Sequence, residues 1–155
     1  MSAGRLSAVP LFSKLDMPTL AEIADQMTSV SRDAGTVLVR EGDAGDELFV
    51  VARGRLEVLK RAPDGHQERV EIFDDGDTFG EISLMRDVPR TATVRTLTAT
   101  TYLTLKRAPF LRLVARVPGM KARLEAEIDA RLRENASVEA GGPGIVEKTS
   151  QRGAL

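Results

Sequence analysis

The chain contains no cysteine. Disulfides, thiolate metal sites, cysteine nucleophiles and cysteine-held iron–sulfur clusters are therefore excluded. The absence agrees with a cytoplasmic location, which is the expectation here. There is a single histidine, His66, and no second His or Cys to share a metal with it, so no metal is expected. His66 follows the Asp64-Gly65 turn and reads as an exposed loop residue. Neither sign of charge is in excess: 22 Lys and Arg stand against 23 Asp and Glu, a formal net charge of -1. A broad basic field for nucleic acid is missing, and no direct nucleic-acid contact is expected. No apolar run approaches the ~18–20 residues that cross a bilayer, so no membrane span is expected. The N-terminus has one Arg and no apolar stretch in its first ten residues, which argues against a signal peptide.

What is present is enough apolar material for a core. The chain has 155 residues, 42% of them hydrophobic, which suits one domain. Residues 1–9 read as a loose N-terminal extension, 10–135 as the domain, and 136–155, with Gly141-Gly142-Pro143-Gly144, as a flexible tail or linker. From Pro10 the apolar spacing is helical: Leu11, Phe12, Leu15, Leu20, Ile23, Ala24 and Met27. Asp16 is placed to cap a helix with Pro18 in its first turn. The helical signal fades near Ser29–Arg32.

The period then shortens. Val37–Glu41, Leu48–Ala52, Leu56–Arg61, Arg69–Phe73, Ala92–Leu97 and Thr101–Leu105 read as strands, rich in Val, Thr and Leu. Turns separate them, among them Asp64-Gly65, a strong hairpin signal. Short strands with turns at this spacing predict a sandwich or barrel rather than a parallel α/β sheet. Helical spacing returns around Pro109 with Phe110, Leu113 and Val114. A second helix is expected from Pro118 to about Asn135, with Met120, Leu124 and Ile128 on one stripe. The acidic cluster Asp74-Asp75-Asp77 lacks the loop spacing of a calcium site and reads as a solvated turn.

The segment from Phe79 to Val94 carries the chemistry. It joins a glycine, a carboxylate and an arginine within one short loop between strands: Phe79-Gly80-Glu81-Ile82-Ser83-Leu84, then Pro89-Arg90-Thr91-Ala92-Thr93-Val94. An anionic phosphate is matched by the paired donors of an arginine and by backbone N–H groups at a helix start or nest. Gly80 lets backbone approach closely. Ile82–Met85 suits one helical turn. A carboxylate beside a phosphate would repel it, so Glu81 must face a donor such as a ribose hydroxyl. The loop reads as a sugar-phosphate cradle.

These residues resemble the phosphate-binding cassette of the cyclic-nucleotide-binding domain family, F-G-E-[LI]-[AS]-L followed by P-R-[AST]-A-[TS]-V. The Gly80–Arg90 spacing also suits the family, and the resemblance runs from about Leu11 to Arg133. It implies a mainly β fold with flanking helices (α+β): an eight-stranded β-roll or jelly roll with N-terminal helices, a short cassette helix and two C-terminal helices. It implies cAMP or cGMP as ligand, with no separate cofactor. Arg90 would pair with the cyclic phosphate and Glu81 would accept from the ribose 2′-OH. Phe79, Gly80, Ile82, Ser83, Thr91 and Ala92 would complete the cradle. The last helix would act as a lid. Arg131 falls between Met120 and Leu124 on a helical wheel and is nominated to cover the purine, with Leu132 and Val70 as apolar neighbours of the base. A snorkelling surface role for Arg131 stays open. Thr91 permits either base; cAMP is favoured.

The function expected is a regulatory sensor that closes its lid helix to control an effector, attached or separate, of unknown identity. Three alternatives stand beside it. A catabolite-activator-type regulator would need a helix-turn-helix after the lid, for which the remaining chain is expected to be too short. An enzyme would need a metal or activated water near the cassette, and no His/Asp set offers one. A nucleotide-free scaffold of the same fold would bind neither nucleotide.

Overall fold

The computed structural model describes residues 2–86 and 88–138, with the side chains of Arg131 and of 134–138 left out. Its strands are β1 (Thr28–Arg32), β2 (Val37–Val39), β3 (Glu47–Arg53), β4 (Leu56–Arg61), β5 (Gln67–Phe73), β6 (Thr78–Phe79), β7 (Thr93–Thr96) and β8 (Thr100–Lys106). They form two antiparallel four-stranded sheets, ordered β1-β8-β3-β6 and β2-β7-β4-β5. The helices are α1 (Ala3–Leu6), α2 (Met17–Gln26), α3 (Glu81–Met85), α4 (Arg107–Arg116) and α5 (Met120–Val138), with a 3-10 turn at Pro10–Phe12. This is the β-roll with flanking helices that the sequence implied.

Strand β3 divides the interior in two. Successive strand residues point to opposite faces. Leu48 and Val50 join a cluster with Leu103, Leu105 and the helical residues Leu20, Ile23, Phe110, Leu113, Met120 and Leu124. Phe49 and Val51 join the inter-sheet cluster with Tyr102, Leu56, Val58, Phe73, Phe79 and Val94. A strand buried on both sides must be apolar throughout, which is why 48–52 shows no alternation.

The helix boundaries follow local chemistry. The Asp16 carboxylate accepts from Thr19 N–H at 2.9 Å and starts α2, with Pro18 in its first turn. α4 begins at Arg107, two residues ahead of Pro109, because a proline is tolerated in a first turn. On α5 the stripe Met120, Leu124 and Ile128 is buried as expected, and the helix continues past Asn135 to Val138. The expected tail beyond Val138 lies outside the described residues.

Two expectations differ. The loose start over 1–9 is instead partly built into the core: Ser2 caps α1, and Leu6 and Val9 are buried in the helical cluster. Residues 28–32 form a strand, not a fading helix. Only Val30 is apolar there, and β1 pairs on one side alone, with β8. An exposed edge strand needs no apolar period.

Candidate functional site

Short strand β6 delivers Gly80 at the mouth of the inter-sheet core. Gly80 has φ 101 and is the N-cap of α3. That left-handed conformation favours glycine, and it turns the chain at once into a helical turn. The turn is buried: Glu81, Ile82, Ser83 and Leu84 are all enclosed, Glu81 at 2% exposure. By geometry the first N–H groups of any helix lack acceptors within it.

Arg90 comes from the loop between α3 and β7 and is only 5% exposed. Its backbone is clamped to the β2–β3 loop in both directions: Arg90 N–H donates to Asp43 O at 2.8 Å, and Gly42 N–H donates to Arg90 O at 2.9 Å. Its guanidinium donates to Gly80 O at 3.3 Å and to Glu47 O at 3.0 Å. It lies 5.6 Å from the centre of the Phe49 ring, a cation–π distance. Two glycines make this possible. A Cβ on Gly80 would stand 2.7 Å from both Arg90 Nη1 and Glu47 O, and a Cβ on Gly45 would overlap the guanidinium. In the sequence Gly45 reads only as part of the turn over Glu41–Asp46, and its contact with Arg90 carries no local signal. Its requirement comes from a residue far along the chain.

Phe79 stacks on Phe49 with centroids 4.7 Å apart and on Phe73 at 5.1 Å, so the floor beneath the cradle is aromatic. Thr91 and Ala92, with Phe79, border a void of about 10 Å³ against Val39, Val58 and Val94. A polar recess of about 230 Å³ runs along 43–47 beside Phe49 and Arg90. Val70 packs against the same inter-sheet cluster. Arg90 thus lies against Gly80, with Glu81, Ile82 and Ser83 following on α3, and Phe79, Thr91 and Ala92 border one void; Val70 shares only the inter-sheet cluster with Phe79 and Ala92. Leu132 is half-buried on α5. The side chain of Arg131 lies outside the described residues.

Two further arginines tie the site to the C-terminal helices, and neither was singled out by sequence. Arg107, at the start of α4, donates to Gly45 O at 2.6 Å and to Ser83 O at 3.4 Å. It bridges the loop that holds Arg90 and the cassette helix. Arg86, the C-cap of α3, donates to Asp129 on α5 at 2.7 Å.

Away from the site, Glu57 on β4 is 5% exposed and receives Arg69 at 3.0 Å and Arg95 at 2.8 Å. Burial pushes its carboxyl up, but the hydrogen bonds from Arg95 and Arg69 outweigh it and hold the group below its ordinary value. His66 is exposed, as expected, and contacts Asp64 and Glu68, whose hydrogen bonds raise its pKa. Among the described residues, no group of three or more His, Asp or Glu gathers to hold a metal. No described helix is long and apolar enough to cross a membrane.

The sequence profile described as Cyclic nucleotide-binding domain matches residues 29–117. A cAMP-dependent protein kinase regulatory subunit from Yarrowia lipolytica is 38% identical over 117 residues, covering 76% of this chain and 30% of the relative. A CRP-like cAMP-activated global transcriptional regulator from Mycobacterium tuberculosis is 27% identical, covering 83% of this chain and 57% of the relative. The chain therefore spans less than two thirds of the length of either. Among solved structures, the regulatory domain of Toxoplasma gondii PKA with cAMP superposes with a TM-score of 0.76 at 25% identity, over 84% of this chain and 49% of that one.

Proposed function

The chain belongs to the cyclic-nucleotide-binding domain family, and from that premise we propose that it is a cAMP sensor module that controls an effector through its C-terminal helices. Its matched relatives are regulatory subunits and transcriptional regulators, and like them it is a sensor domain, not a catalyst. The observation that carries the ligand reading is the burial of Arg90 in a cradle built by Gly45 and Gly80, facing the start of α3.

Among its contacts, Arg90 donates to two neutral carbonyls, Gly80 O and Glu47 O. A cyclic phosphate offers two anionic oxygens in their place, and charge-assisted, paired hydrogen bonds are the stronger kind. Glu81 supplies a buried acceptor for the ribose 2′-OH. Ile82, Ser83, Thr91 and Ala92 supply backbone around the phosphate, and Phe79 the floor. The void beneath Thr91 and Ala92 is too small to hold a base. Leu132 and Arg131 are the α5 residues proposed to cover the base. Adenine is preferred over guanine on the strength of relatives described as cAMP-dependent and cAMP-activated.

The effector is proposed to be a kinase catalytic unit or another protein domain. The second reading, the sensor part of a transcription regulator, is supported by the match to the mycobacterial regulator, 27% identical over 128 residues.

Calorimetric titration with cAMP and cGMP, beside Arg90→Ala, tests the reading. Micromolar or tighter binding is expected, weakened tens- to thousands-fold in the variant, since one partner of a buried charge pair is worth on the order of 2–5 kcal/mol. A folded wild-type chain, free of pre-bound nucleotide, that takes up neither ligand would favour the scaffold alternative.

A further inference from the structure

Helices α2 and α4 pass each other with a groove of about 460 Å³ between them. The strands set their directions. α2 ends at Gln26 and leads into β1, whose first residue, Thr28, stands opposite Thr104 on β8, and α4 starts at Arg107 as β8 ends. The end of α2 is therefore beside the start of α4, and the two run antiparallel. One ion pair joins their far parts: Arg116 meets both carboxylate oxygens of Glu22, at 3.1 and 2.8 Å. Helix positions four apart lie on the same face, one above the other. Four residues on from Glu22 is Gln26, and four back from Arg116 is Arg112. All four line the groove. Gln26 thus takes the place opposite Arg112 that Glu22 takes opposite Arg116.

The exchange of a carboxylate for an amide leaves one rim charge unmet. Glu22 already spends both oxygens on Arg116. Among the described residues, no hydrogen bond or ion pair engages the Arg112 guanidinium. Between the rims the floor is apolar: Ile23, Leu105 and Leu113 are buried, with Pro109 and Ala115 beside them. None of the lining residues belongs to the cassette. Small-molecule sites are about 300–1,000 Å³, mostly apolar, with a few polar groups that orient the ligand. From Pro109 to Arg116 the α4 wall is about 10 Å long, and a helix with its side chains is itself about 10–12 Å across. The groove is short for a partner helix and suits a single flexible chain.

We infer that the groove between α2 and α4 is a second ligand site, for a small amphipathic carboxylate: its apolar chain lies on Ile23, Leu105 and Leu113, and its carboxylate pairs with Arg112. The planar fork of an arginine matches the two oxygens of a carboxylate. Gln26, on the facing rim, offers a neutral amide donor to the same head. Two arginines against one glutamate leave the lining with a net positive charge, so a negative head is favoured over a positive one. The site lies apart from the Arg90 cradle and stands whether or not a cyclic nucleotide binds there.

The test is a titration of the isotope-labelled full chain with octanoate and with octanol, each kept below its micelle or solubility limit, followed in amide proton–nitrogen spectra. Octanoate is expected to give saturable shifts centred on Ile23, Gln26, Arg112 and Leu113. It is expected to bind about threefold more tightly than octanol, the range for one exposed charge pair. Arg112→Gln is expected to bring octanoate down to the level of octanol and to leave octanol unchanged, which also shows that the variant is folded. Ala115→Trp fills the groove from an exposed position and is expected to abolish binding of both probes at an unchanged melting temperature. Equal affinity of wild type for the two probes, shifts centred elsewhere, or an equal effect of Arg112→Gln on both overturn the inference. Self-association that Ala115→Trp abolishes, with no response to octanoate, overturns it too and assigns the groove to a second copy of the chain.

Discussion

The Arg90 guanidinium occupies the space that a side chain on Gly45 would fill. One residue lies in the loop between β2 and β3 and the other follows the cassette helix, so the buried guanidinium is positioned by two distant segments. Gly45 is not held at a positive φ. Alanine there is compatible with the backbone, and the overlap with Arg90 is the main cost.

Gly45→Ala is therefore expected to move Arg90 and weaken cAMP binding about tenfold or more, with far-UV circular dichroism and the melting temperature little changed. Titration beside a melting curve checks both halves. A variant that binds like wild type would show that the Arg90 position in this structure is not the binding position.

Gly54 is a different case. It joins β3 to β4 at φ 134, and a Cβ would stand 2.9 Å from the Thr100 Cα. Both strain and overlap act on the folded state. Gly54→Ala is expected to cost on the order of 1–3 kcal/mol of stability, read as a lower denaturation midpoint in urea, with nucleotide affinity retained under native conditions.

Much of this was legible in the sequence, and the rest was not for identifiable reasons. The apolar run of β3, the Asp64-Gly65 hairpin and the cassette carry their signals within a few residues. The Asp16 cap was readable because a cap acts on N–H groups three residues away. Gly45 and Arg107 act through Arg90 and Ser83, and that dependence exists only after folding. β1 was missed because an edge strand exposed on most of its length needs no alternation.

Glu57 makes stability depend on acid. Its folded pKa is lowered, so the stabilisation is present above the unfolded value, about 4.3, and is lost as pH falls through the folded one. Glu57→Gln is expected to cost about 1–3 kcal/mol at pH 7, because two arginines lose their partner, and to flatten the stability profile below about pH 4.3. Urea melts at a series of pH values measure this. A parallel pair of profiles would mean that Glu57 titrates alike in both states.

His66 shifts the opposite way. Hydrogen bonds from its ring to Asp64 and Glu68 raise its pKa, so its contribution is complete below the unfolded value, about 6.5, and fades as pH rises through the folded one. As the only histidine, its ring signals can be followed by NMR without assignment. The midpoint is expected above about 6.5 and closer to it in Asp64→Asn. An unshifted wild-type midpoint would mean that the turn contacts are not kept in solution.

The bridge from Arg86 to Asp129 joins the end of the cassette helix to α5 across the surface, with Arg86 30% and Asp129 50% exposed. A link of that kind weakens as salt is added, because mobile ions screen exposed charges over about 10 Å at 0.1 M. The buried Arg90 cradle is screened far less. The protein thus joins a salt-resistant grip to a salt-sensitive linkage, and rising ionic strength should loosen the hold on the helix sooner than the hold on the nucleotide.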